Sequence, residues 1–96
     1  MRVRVVRRGG LAGIPLRGEV DTAEFSGDQA KAIESILRGL PFDKPPAPPR
    51  HPDGFQYALE FPDPGGQSRS ITLDESEVGD DLRPLILAAL QRGTIG

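Results

Sequence analysis

Residues 55–74 read FQYALEFPDPGGQSRSITLD, and the alternation in this stretch decides the fold. Phe55, Tyr57, Leu59 and Phe61 alternate with Gln56, Ala58 and Glu60, the two-residue period of a strand with one buried face. Three of the five aromatic residues of the chain fall here, so this apolar face is expected at the centre of the core. Asp63-Pro64-Gly65-Gly66 follows as a turn. Pro64 sets φ at its second position and Gly65 is free to take positive φ at its third, as a type II turn requires. From residue 67 to 74, Arg69, Ile71 and Leu73 alternate with Ser68, Ser70 and Thr72, which predicts the returning strand of a hairpin.

The N-terminus repeats the pattern. Val3 and Val5 alternate with Arg2 and Arg4, and Leu16, Gly18 and Val20 alternate with Arg17, Glu19 and Asp21, so a second hairpin is expected with residues 9 to 15 as its connection. Between the hairpins, Ser26 and Gln29 have capping-box spacing and predict a helix start. Ala30, Ile33, Leu37 and Leu40 form its apolar stripe, and Gly39 with Pro41 supplies the stop. Six of the twelve residues from Pro41 to Pro52 are proline, a composition that excludes helix and sheet interior and favours extended backbone.

A last amphipathic helix is marked by Leu82, Leu85, Ile86, Ala89 and Leu90. Pro84 has no N–H, which places it in the first turn and points to Asp80 or Asp81 as the cap. The expected fold is α+β in the order β-β-α-β-β-α: a four-stranded antiparallel sheet of two hairpins, with two helices packed on one face. Ninety-six residues make this a single domain, 1–96, with one modest core.

Composition narrows function mainly by exclusion. The chain has no cysteine, hence no disulfide framework, thiolate nucleophile or thiolate metal site. His51, the only histidine, lies in the proline-rich loop, so no Ser-His-Asp set and no multi-histidine metal site can be assembled. The acids Asp74, Glu75, Glu77, Asp80 and Asp81 lack the oxygen spacing and glycine of a calcium loop and read as a solvated helix entry. These residues predict a protein that is not an enzyme and holds no metal or cofactor. Residues 1–18 carry five arginines and no acid, but a net charge of −2 leaves −7 for the remainder, and a pI near 5.3 argues against a nucleic-acid binder. No apolar run approaches the roughly 18 residues of a membrane span, and the charged N-terminus is unlike a signal segment. A cytoplasmic protein that is monomeric when free is expected.

One segment looks built to touch something. Arg7 to Pro15 reads Arg-Arg-Gly-Gly-Leu-Ala-Gly-Ile-Pro, with two large aliphatic residues among three glycines. It lacks the terminal lysine and hydroxyl of a phosphate-binding loop and the order of a dinucleotide-binding one. Two readings remain open: a hairpin connection with Leu11 and Ile14 tucked onto the core, or a probe that holds them out. Glycine so often simply marks turns that the residues alone favour the first.

The chain resembles the emfourins, bacterial protein inhibitors of thermolysin-like metallopeptidases found beside protealysin-type enzymes. The resemblance spans nearly the whole length. It rests on Arg8-Gly9-Gly10-Leu11-Ala12-Gly13-Ile14, on Val20-Asp21, on Asp53-Gly54-Phe55-Gln56-Tyr57 and on Leu82-Arg83-Pro84-Leu85-Ile86. The proline-rich stretch from Leu40 to Pro52 and the polar tail after Leu90 depart from the family pattern. The resemblance implies an inhibitor that binds the active-site cleft of a thermolysin-like zinc peptidase through Arg8, Gly9, Gly10, Leu11, Ala12, Gly13, Ile14 and Pro15. It further implies that Leu11 or Ile14 fills the primed-side pocket, which in such peptidases takes a bulky apolar residue. A non-catalytic interaction or chaperone module for a neighbouring peptidase precursor is the alternative, using the same loop or the proline-rich segment.

Overall fold

Val3 and Val5 turn to the core while Arg2 and Arg4 turn to solvent, and this alternation makes the first strand, β1 (Arg2–Gly9). The computed structural model describes residues 1–9, 14–40, 54–62 and 65–95. After β1 come β2 (Leu16–Asp21), α1 (Gly27–Gly39), β3 (Phe55–Pro62), β4 (Ser68–Asp74), α2 (Arg83–Gln91) and β5 (Thr94–Ile95). Both expected hairpins form, β1 with β2 and β3 with β4. They join through their first strands, so the sheet order is β4-β3-β1-β2-β5 with every neighbour antiparallel.

Register gathers the apolar half of each alternation onto one face. Val3 lies opposite Val20, Val5 lies between Gly18 and Leu59, and Leu59 lies opposite Ile71. Ile33 and Leu37 of α1, with Leu85, Ile86 and Ala89 of α2, complete the same buried cluster. The opposite face keeps the charges, as in Arg2 with Glu19 at 3.2 Å and Arg4 with Glu60 at 3.6 Å. Such solvated pairs carry little energy.

Two contacts fix the helices. At Gly18 there is no room for a side chain, because an added Cβ would run into the carbonyl oxygen of Ala89; β2 and α2 meet there backbone to backbone. Thr22 is fully buried and its Oγ1 donates to Glu34 Oε2 at 2.7 Å, which ties α1 to the end of β2. Ser26 caps α1 as its sequence position predicts, with Oγ accepting from the Gln29 N–H at 3.3 Å. Ser26→Ala should cost about 1 kcal/mol, lowering the thermal midpoint by roughly 4–8 °C in a circular-dichroism melt. An unchanged midpoint would remove the cap from the account.

Several expectations need correction. The cap of α2 is neither Asp80 nor Asp81 but Leu82, with no side-chain bond; the Gly79 carbonyl accepts from the N–H groups of Leu82 and Arg83 instead. Pro84 does sit in the first turn, where no intrahelical donor is needed. In the second hairpin Gly66 takes positive φ (87°), while Asp63 and Pro64 of the expected turn lie outside the described residues. Part of the acidic run, Glu75–Glu77, is a 3-10 turn of its own: buried Asp74 accepts from the Ser76 N–H at 3.0 Å, and Glu77 Oε1 accepts from the Asp74 N–H at 2.9 Å. The tail adds the short strand β5, whose Thr94 and Ile95 pair with Arg17 and Leu16. The proline-rich segment and His51 lie outside the described residues.

Candidate functional site

The strand ends define the candidate site. β1 stops at Gly9, β2 starts at Leu16, β3 starts at Phe55 and β4 stops at Asp74, so all four converge at one end of the sheet. Gly9 can end β1 there because it lacks a side chain: its φ is +93°, and a Cβ would strike the Gly54 carbonyl oxygen. Phe55 lies directly across from Gly9, and its ring is met by the Arg7 guanidinium, 4.4 Å from the centroid.

Of the eight residues expected to contact a partner, four are described. Arg8 is exposed and sits opposite Gln56 on the face the helices leave open. Gly9 ends the strand, and Pro15 is half-buried just before β2. Ile14 is 53% exposed, so its side chain is not part of the core and the tucked-in reading fails for this residue. Gly10, Leu11, Ala12 and Gly13 lie outside the described residues.

Beside this end, a cavity of about 410 Å³ opens between the start of α2 and β3, with Tyr57, Val78, Ile86 and Leu87 as its apolar walls and Glu75 and Arg83 among its polar ones. Leu87 is 54% exposed. Burial raises the pKa of the Tyr57 hydroxyl, so it stays protonated and can donate. Among the described residues no group of histidines and carboxylates could hold a metal ion. Ser76, also on the cavity wall, donates its Oγ–H to Asp74 Oδ2 at 2.5 Å.

Away from this end, the chain is clasped. Arg92, following α2, donates through both terminal nitrogens to both oxygens of Glu24, and Glu24 Oε2 also accepts from the Asp21 N–H at 3.2 Å. Hydrogen bonding from Arg92 first, and from the Asp21 backbone second, lowers the Glu24 pKa from 4.5 to about 2. A folded-state pKa below the unfolded one means the clasp stabilises fully above about pH 4.5 and loses its effect as pH falls toward about 2. Arg92→Gln should therefore show a shallower loss of stability over that window than the native chain, read by denaturant titration at each pH. Equal slopes would exclude the clasp.

Arg7 and Phe55 were not apparent as a pair from sequence. Each carries a local signal, a basic residue on the apolar side of a strand and an aromatic at a strand start. Only the β1–β3 register brings the two together.

Neither the curated proteins nor the solved structures include a match to this chain. A family model described as Emfourin matches residues 5–90.

Proposed function

The chain belongs to the emfourin family, and from that premise we propose that it inhibits a thermolysin-like zinc metallopeptidase by lodging residues 8–15 in the active-site cleft. The observation that carries the reading is Ile14: a large aliphatic side chain 53% exposed at the end of a connection between paired strands. Exposing it costs the free chain burial energy, a cost a complementary apolar pocket would offset.

Ile14 is followed by Pro15, which has no N–H and a fixed φ. With Ile14 in the primed-side pocket, the next residue cannot complete the extended hydrogen bonding a substrate makes. The segment binds and resists cleavage. The hairpin beneath it lowers the entropy lost on association, because β1 and β2 are already paired up to Arg7 and Leu16.

Titrating the purified protein against a thermolysin-like peptidase tests this directly. Peptidase activity should fall to near zero at a modest excess of the chain. Unchanged activity at a large excess would favour the alternative, a docking or chaperone module that binds a peptidase precursor without inhibiting it.

A further inference from the structure

We propose that Arg7 and Phe55 are positioning residues for the contact segment: their stack holds the ends of β1 and β3 together, so that the strand end from which the contact segment departs stays fixed in a peptidase cleft. This inference rests on the inhibitory reading and adds to it the device that keeps the inhibitor from becoming a substrate.

Three observations converge. Gly9 must be glycine, since its φ of +93° and the Gly54 carbonyl leave no place for a side chain. A glycine at a strand end is a weak point, because it packs nothing and constrains its backbone little. Phe55 stands directly opposite that glycine, where an aromatic ring compensates for the missing side chain. Arg7 then closes over the ring from two residues back on β1, 4.4 Å from its centroid.

Arg7 also differs from its neighbours in partner choice. Arg2 and Arg4 pair with Glu19 and Glu60, whereas among the described residues Arg7 makes no ion pair and meets the aromatic ring instead. Arg7 as a residue is half-buried on the helix-covered side, where a cation–π contact is stronger than in open water. The stack thus joins β1 to β3 by side chains at the point where the backbone ladder ends.

Rigidity matters because a peptidase cleaves what can settle into its productive geometry. A loosened stem raises the entropy cost of binding and lets the bound segment sample that geometry.

The experiment compares the full-length protein with Arg7→Gln, Phe55→Leu, the double variant and Arg7→Lys. Inhibition constants, dissociation rates, thermal midpoints and cleavage products after prolonged incubation with the peptidase are read for each. Arg7→Gln and Phe55→Leu should each inhibit roughly 3- to 10-fold more weakly, dissociate faster, and be cut within residues 10–15 by the peptidase they inhibit. The double variant should be no worse than the weaker single one, and Arg7→Lys, which keeps a cation over the ring, should inhibit nearly as well as the native chain.

Native inhibition constants and uncut chains for both single variants would overturn the positioning role while leaving the inhibitory reading intact. Independent, multiplying effects in the double variant would also overturn it, since a stack acts as one unit. A native chain that inhibits no such peptidase removes the reading itself. If Phe55→Leu lowers the midpoint enough to obscure its own result, Arg7→Gln and Arg7→Lys decide the question, because they leave the ring in place.

Discussion

Gly18→Ala is expected to lower the thermal midpoint by about 15 °C, a large effect for one methyl group. The Cβ would overlap the Ala89 carbonyl oxygen and crowd the backbone nitrogen of Leu90 at 3.3 Å. Both obstacles are helix backbone, so no side-chain rotation can relieve them. α2 must move off β2, and with it Leu85, Ile86 and Ala89, all of which are buried in the core. Overpacking a well-filled core costs about 1–3 kcal/mol, and a clash with backbone belongs at the upper end. For a chain of this size each kcal/mol is worth roughly 4–8 °C. Gly39→Ala is the control, since nothing lies within 4 Å of a Cβ there; its midpoint should stay within a few degrees of native, about 0.5 kcal/mol. Similar melts for the two variants would mean that β2 and α2 do not meet at Gly18.

Ile14→Asp and Leu11→Asp should abolish inhibition for whichever residue fills the peptidase pocket. Losing a buried aliphatic side chain costs about 1.5–3 kcal/mol, and forcing a carboxylate into an apolar pocket adds several more through desolvation. Together these amount to a rise in the inhibition constant of about a thousandfold or more. The fold should not respond at Ile14, whose side chain is 53% exposed, so the Ile14→Asp melt should match the native one. Loss of inhibition in one variant alone identifies the plug. Full inhibition by both would sink the proposal that this segment enters the cleft, and would shift attention to the cavity beside Tyr57 and Leu87.

The proposed roles draw on different layers of information. The two-residue alternation in residues 2–8, 16–21, 55–61 and 68–74 was legible because it records which side of a strand faces water. Ser26 could be read as a cap because its oxygen needs only a backbone N–H three residues away. The glycine segment stood out for the same reason, since glycine leaves its mark on local backbone freedom. By contrast, the α2 cap was misassigned: Asp80 and Asp81 suit a helix N-terminus chemically, but the Gly79 carbonyl reaches the first donors instead. The strand character of Thr94–Ile95 was also hidden, because two residues carry no period and become a strand only when β2 offers an edge.

By itself, then, the sequence determined the four long strands, the two helices, their order and the hairpin pairing, all set by interactions within a few residues or across one turn. Tertiary structure alone decided that β1 and β3 meet at the centre of the sheet, that Gly18 lies under α2, that Ile14 stays exposed and that Arg7 closes over Phe55. Each of these depends on register between segments distant in the chain. Register is chosen by how whole faces pack, and no local run of residues encodes it.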